Sequence, residues 1–324
     1  MRVWWTRHPD AVRSPVRAHR AARGQSGWVP EGDVVRRTAQ RLHAALGGRA
    51  LVTSDLRWPS LATVDLRGRE VLEVVSAGKH ILTRVEGGLT LHSHLRMEGQ
   101  WRVHRTTDTA AGRRSAHDRG VRAILANAEW TAVGHRLGML DLVPTDREDG
   151  LVGHLGPDVL GPGWDPAEAT RRLLSVPGRA VGEALLDQRV LAGVGTFYMC
   201  EVCFLRGVSP WTPAGEVPDP AGLVGLVHKI MWANAERVVQ STTGDARKGR
   251  QQYVHARSGL PCRRCGTTVR VAMVGPAPAD RTAFYCPHCQ PGPAPDAGAP
   301  APAPLGASRR RVPGARSPGG RSRP

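Results

Sequence analysis

Hydrophobic and polar positions divide the chain into stretches of different period. From Asp33 to about Leu46, the apolar residues Val34, Val35, Ala39, Leu42, Ala45 and Leu46 recur at helical spacing, and Gly47-Gly48 stops the run. The preceding stretch, Trp28-Val29-Pro30-Glu31-Gly32-Asp33, has the form of a helix start. Proline costs nothing in the first turn, and an acidic residue there complements the helix dipole. Between residues 50 and 145 the period shortens to two. The β-rich runs Thr63–Leu66, Val71–Val75, His80–Val85 and Leu89–His92 lie between turn signals such as Arg67-Gly68 and Glu86-Gly87-Gly88. Closely spaced alternating runs predict an antiparallel sandwich or barrel. The Arg-, Thr- and Gly-rich residues 105–120 predict a flexible loop.

From about residue 155 the helical period returns. Asp165-Pro166-Ala167-Glu168 carries a capping-box pattern, Val181 to Gln188 predicts a short helix, and Gly193-Val194-Gly195 a tight turn. A helix is expected from Thr196 to about Leu205. Asp219-Pro220 opens the longest one, with Leu223, Leu226, Val227, Ile230, Ala233 and Val238 facing inward. Residues 291–324 are mostly Pro, Ala, Gly, Ser and Arg, too poor in apolar side chains to bury a core.

Charge adds a candidate partner to this outline. Lys and Arg number 45 against 28 Asp and Glu, a net +17. Removing six Arg and one Asp from each of the segments 1–29 and 291–324 leaves 33 basic and 26 acidic residues, so the body is itself basic. A polyanionic partner and plain solubility charge both fit that surplus. With Lys at only positions 79, 229 and 248, the composition has the bias of a GC-rich, bacterial genome. No run of about 18 apolar residues is present, so no membrane span is expected. Residues 1–28 lack the apolar core of a secretory signal, though their Arg-rich, acid-poor character would suit a transit peptide.

Cysteine spacing is the sharpest local signal. Cys262-Arg-Arg-Cys265 and Cys286-Pro-His-Cys289 are two knuckles 20 residues apart. Four thiolates at that spacing close a tetrahedral, structural zinc site with a β-hairpin between them. Two disulfides are the alternative, without an export signal to favour it. Cys200 and Cys203 share the C-x-x-C spacing inside a helical run, where buried apolar thiols are the simpler reading. His92 and His94 lie on one face of a strand without an evident third metal ligand, and read as structural or close to a phosphate.

Taken in order, the motifs resemble the formamidopyrimidine-DNA glycosylase/endonuclease VIII family. They are Pro30-Glu31-Gly32-Asp33, Gly78-Lys79-His80, His94-Leu95-Arg96-Met97-Glu98-Gly99, Leu186-Asp187-Gln188 with Ala192-Gly193-Val194-Gly195, and Arg281-Thr282-Ala283-Phe284-Tyr285-Cys286 with the four-cysteine module. The resemblance spans about residues 29–290 and is closest to actinobacterial endonuclease VIII. There is also no room between Thr242-Thr243-Gly244 and Tyr253 for the long lesion-capping loop of the formamidopyrimidine enzymes.

The resemblance implies an α+β fold. An N-terminal antiparallel β-sandwich flanked by helices (30–145) would join through a linker (146–158) to a helix-two-turn-helix domain (159–258). A zinc finger (259–290) follows, with a disordered extension (1–29) and a disordered basic tail (291–324) outside. It implies a bifunctional DNA glycosylase/AP lyase of base excision repair, acting as a cytoplasmic, nucleoid-associated monomer on duplex DNA with oxidised, preferentially pyrimidine, or abasic sites. Pro30 would be the amine that attacks C1′, Glu31 the general acid/base, and β/δ-elimination would follow from the imine. Lys79 and Arg281 would hold phosphates, and Met97 would enter the stack beside the everted base, assisted by Arg96 and Leu95. Gly195 and Thr196 would approach a phosphate at the helical turn, Glu201 would stand near the proline, and one Zn²⁺ would sit on Cys262, Cys265, Cys286 and Cys289.

Three departures qualify that picture. Thr196 stands where the family usually has Asn, and the second glutamate near the start is absent, with Val34 and Val35 in its region. Pro30 also follows Val29, and a proline nitrogen in a peptide bond is a planar amide without a free lone pair. Initiation at Val29 followed by methionine removal would expose Pro30, and residues 1–28 would then be translated upstream sequence. With Val29 attached, the alternative is a non-catalytic protein that binds lesions or abasic sites. A zinc-ribbon regulatory or ribosome-associated protein is a third reading, against which Glu31, Lys79 and Met97 argue.

Overall fold

The computed structural model describes residues 30–110 and 117–295. The extension 1–29, the centre of the 105–120 loop and the tail beyond residue 295 lie outside the described residues. Helix α1 (Gly32–Leu46) starts directly after Pro30-Glu31 and buries Val35, Ala39, Leu42, Ala45 and Leu46, as its period requires. Gly48, at φ +67°, then turns the chain into the first sheet.

Nine antiparallel strands follow: β1 (Arg49–Ala50), β2 (Thr53–Leu56), β3 (Glu70–Ala77), β4 (His80–Val85), β5 (Leu89–His94), β6 (Gln100–Arg105), β7 (Val121–Ala126), β8 (Trp130–His135) and β9 (Met139–Pro144). One sheet has the order β1-β3-β4-β5-β9 and the other β2-β7-β8-β6. Ile81, Val85, Leu91 and Leu140 of the first sheet share a core with Trp101, Ala123, Leu125 and Ala132 of the second. This is a sandwich. Alternation leaves His80, Arg84, Thr90, His92, His94 and Asp141 together on the opposite face of the first sheet.

One expected strand is absent. Thr63–Leu66 is irregular chain between a short 3-10 helix (Pro59–Leu61) and the Arg67-Gly68 turn, although Leu66 is buried. Asp65 accepts hydrogen bonds from the Arg67 backbone N–H (2.9 Å) and guanidinium (2.7 Å), closing a local turn that competes with strand pairing.

The second half is helical. It comprises α2 (Asp149–Val152), α3 (Pro166–Leu173), α4 (Val181–Leu186), α5 (Thr196–Arg206) and α6 (Pro220–Ala235), then the hairpin β10 (Arg270–Val274) and β11 (Arg281–Tyr285). Asp165 and Asp219 cap α3 and α6 by accepting backbone N–H groups, as their sequence positions predict. Helix α5 is the axis of this core: every residue from Phe197 to Phe204 is buried. Burial pushes the Cys203 thiol up to about 12, in keeping with an apolar role, and the Cys200 sulfur accepts the Phe284 N–H at 3.2 Å. On α6 the buried residues are Leu223, Val224, Val227, Met231, Asn234 and Ala235. Ala233 is exposed because it falls off that stripe, and Val238, 83 % exposed, lies beyond the helix end. Among the described residues no helix is long and apolar enough to cross a membrane.

Candidate active site at the seam of the two cores

The two cores meet through backbone. Gly32 donates its N–H to the Gly193 carbonyl at 2.9 Å, and a Cβ on Gly32 would lie 3.0 Å from the Gly193 Cα. Only glycine lets the start of α1 approach the 193–195 turn this closely, and Gly193 itself has φ +99°.

Glu31 sits at this seam, 1 % exposed. Its carboxylate accepts the Gly195 N–H at 2.8 Å and the Phe197 N–H at 2.7 Å, so it occupies the N-terminus of α5. A Cβ on Gly195 would lie 2.5 Å from the Glu31 carboxyl carbon, which explains the second glycine of the turn. Burial pushes the Glu31 pKa up to about 7, against the pull of Lys79 and the Phe197 and Gly195 amides. A carboxyl at that value exchanges its proton near neutrality. The Gly195 amide is therefore committed to Glu31, while Thr196 is half-buried at the first position of α5.

Lys79 lies in the β3–β4 turn and donates to the Val194 carbonyl at 2.6 Å. Burial lowers its pKa, Glu31 raises it, and Arg281 lowers it, so both charges are close enough to be felt. Arg281, exposed at the start of β11, is held by the carbonyls of Ala279 (2.8 Å) and Asp280 (2.9 Å). Pro30 is half-exposed next to Glu31. Met97 protrudes from the β5–β6 turn at 65 % exposure, beside Arg96 at φ +49°. Leu95 is buried in the sandwich core and cannot accompany Met97 outward.

Glu201 does a different job. It accepts from the backbone of Tyr253 (2.7 Å), Val254 (2.8 Å) and His255 (2.8 Å) and from the Thr242 hydroxyl. It thus fastens the short 242–253 loop, which exposes Arg247, Lys248 and Arg250. Four further residues have supporting roles, of which Asp33 and Gln188 lie within the motifs and Asp158 and Gln240 outside them. Asp158 accepts the Gly78 N–H at 2.9 Å and fixes the Lys79 turn to the helical half. Gln188 bridges Gly193 N–H (3.0 Å) and the Val194 carbonyl (2.9 Å). Asp33, fully buried, is held by both hydrogen-bond contacts of the Gln240 amide (2.7 and 2.9 Å), although the two lie 207 residues apart.

The sulfurs of Cys262, Cys265, Cys286 and Cys289 all lie within 4.8 Å of one another, and none is in a disulfide. The Cys262–Cys289 and Cys265–Cys286 separations of 4.0 and 3.5 Å bracket the edge of roughly 3.8 Å expected for a tetrahedron of thiolates about 2.3 Å from zinc. The residues present fit a metal ion.

Comparison with known proteins agrees with this geometry. Residues 29–139 match the family model of the formamidopyrimidine-DNA glycosylase N-terminal domain. The chain is 53 % identical over 272 residues to a probable endonuclease 8 2 of Streptomyces coelicolor, covering 83 % of this chain and 97 % of that protein. It is 43 % identical over 262 residues to the DNA-(apurinic or apyrimidinic site) lyase Nei2 of Mycolicibacterium smegmatis, covering 81 % and 99 % respectively. The Lactococcus lactis Fpg, solved in complex with DNA containing an abasic site, shares the fold at a TM-score of 0.66 and 20 % identity, over 81 % of this chain and all of that one. The chain belongs to the formamidopyrimidine-DNA glycosylase/endonuclease VIII family, on its actinobacterial endonuclease VIII side.

Proposed function

We propose that the protein is a bifunctional DNA glycosylase/AP lyase that removes oxidised bases, preferentially pyrimidines, from duplex DNA and cleaves the abasic site. The observation that carries this reading is Glu31: a buried carboxyl with pKa about 7, fixed beside Pro30 and facing Lys79. The Pro30 nitrogen attacks C1′ while Glu31 delivers its proton to the ring oxygen O4′. The base departs, and an iminium joins Pro30 to the sugar. Loss of the acidified C2′ proton expels the 3′ phosphate, and a second elimination expels the 5′ phosphate. Lys79 and Arg281 hold the flanking phosphates, and Met97 fills the gap left by the everted base.

The short 242–253 loop supports the pyrimidine preference, since nothing long stands there to enclose a purine lesion. One zinc on the four cysteines fixes the β10–β11 hairpin when bound, and so fixes Arg281.

The nucleophile requires a form that begins at Pro30, because an amide nitrogen cannot become an iminium. The match to the family model starts at residue 29, directly before Pro30, which is in keeping with that form. Borohydride trapping on abasic duplex DNA tests both points. Protein beginning at Pro30 is expected to form a covalent adduct, and the 324-residue chain is expected to form none. Failure of the Pro30-initiated protein to trap would reject the lyase reading. Binding of abasic DNA without trapping would favour the non-catalytic alternative.

A further inference from the structure

The polar face of the first sheet holds a chain of titratable groups that the reaction above does not use. Strand register explains it. His92 pairs directly with Asp141 on β9, and His80 pairs with His94, so the period of two brings all four to one face. Asp141 Oδ2 is 3.0 Å from His92 Nδ1, and His92 Nε2 is 2.8 Å from His80 Nδ1. His92 is 1 % exposed, whereas His80 is half-exposed and follows Lys79 in sequence.

We propose that Asp141, His92 and His80 form a proton relay that takes up one proton when a DNA phosphate occupies the face beside Lys79, turning His80 Nε2 from a bare lone pair into an N–H donor. The inference rests on the DNA-binding reading given above. A carboxylate oxygen only accepts, so His92 Nδ1 carries a hydrogen. In the neutral pair, His92 Nε2 then accepts, His80 Nδ1 donates, and His80 Nε2 is left with a lone pair that would repel a phosphate oxygen. With one further proton, drawn from solvent, His92 becomes an imidazolium between Asp141 and His80. His92 Nε2 donates to His80 Nδ1, and His80 Nε2 bears the hydrogen. One proton is taken up, and every hydrogen bond of the chain is kept.

The surroundings set the switch. Around His80 stand Lys79 from the β3–β4 turn, His92 and His94 from β5, and His154 after α2, whose ring centroid is 6.3 Å away. Arg96 stands next to His94, and Arg281 and Glu31 act on Lys79. Burial and these neighbouring positive or titratable groups hold His80 down to about 3, so it is uncharged in the free protein at neutral pH. Asp141, about two-fifths exposed, is the one carboxylate bonded to the relay among the described residues, and it does not offset them alone. A phosphate supplies the missing negative charge. Binding and proton uptake are then linked.

Fluorescence anisotropy of the full chain on a duplex with an uncleavable tetrahydrofuran site tests the relay at constant ionic strength. The readout is the ratio of affinities at about pH 6 and pH 8.5, for the parent, His80→Gln and Asp141→Asn, each matched in melting temperature and zinc content. One linked proton is expected to make the parent's ratio about tenfold larger than that of either variant. Equal ratios, with or without a uniform loss of affinity, would overturn the relay and leave the DNA reading standing. Absence of parent binding at every pH would overturn the DNA reading and the relay with it.

Discussion

Two buried glutamates that serve the same helix divide function from architecture. Glu31 caps the start of α5 from outside and has two fixed donors, the amides of Gly195 and Phe197. Glu201, within α5 itself, has four: three backbone amides and the Thr242 hydroxyl. Burial raises the pKa of both. The difference lies in what each carboxylate is surrounded by. Every donor around Glu201 belongs to the 242–255 segment, so losing its charge would release that loop. Glu31 faces a lysine and has lone pairs to spare, so a proton can come and go without dismantling anything. In a dry site, the number and ownership of donors separates a structural carboxylate from a proton carrier.

Substitution should split the two. Glu31→Gln is expected to slow base excision by about 10²–10⁴, the usual worth of general acid catalysis, with lyase trapping less affected, measured by single-turnover assays on damaged duplex. Equal loss of excision and trapping would remove the distinction between proton carrier and scaffold. Glu201→Ala leaves three backbone amides without acceptors, that of Val254 buried and those of Tyr253 and His255 partly buried, at up to about 1–3 kcal/mol each, so a stability loss of a few kcal/mol is expected in denaturant melts. A melt unchanged by that substitution would mean that the loop is held by something else.

Acidity gives a subtler contrast. The folded pKa of Glu31 is raised, so its contribution to stability is full below its unfolded value of 4.5 and is lost as pH rises through about 7. Each tenfold difference in proton affinity between the folded and unfolded chain is worth about 1.4 kcal/mol, so between about pH 5 and pH 8 the parent should lose up to roughly 3 kcal/mol relative to Glu31→Gln. Parallel stability curves for the two proteins would contradict a neutral, buried Glu31. The smallest structural effect should come from Met97→Ala, since an exposed side chain moves stability by no more than about 0.5 kcal/mol. Excision should nonetheless slow by about tenfold, because the gap in the stack is left unfilled. A melting temperature that fell with activity would mark Met97 as packing.

Local chemistry made part of this legible in the sequence. The Asp-Pro starts of α3 and α6, the apolar stripe of α1 and the paired cysteine knuckles depend on residues within a few positions of each other, and each holds in the structure. Thr63–Leu66 misled because a strand exists only if a neighbour pairs with it, and Asp65 bonds to Arg67 instead. Ala233 and Val238 misled because apolar residues also occur off the stripe and past the helix end. Asp158, Gln240 and the His80–His92 contact were invisible for a different reason. Each is defined by a partner that register or domain packing supplies, up to 207 residues away.

The Asp33–Gln240 and Gly32–Gly193 bonds have a consequence for the life of the chain before it is complete. An enzyme of this kind opens the sugar-phosphate backbone, and a loose one would be a hazard to the genome it maintains. Here the residues around Pro30 are synthesised early, but their supports at positions 193–197 and 240 come from more than 150 residues later. In the reaction proposed above, a nascent or prematurely ended polypeptide has Pro30 and Glu31 without the means to hold them. On that reading the order of synthesis itself acts as a safety catch, because cutting waits for the supports at positions 193–197 and 240.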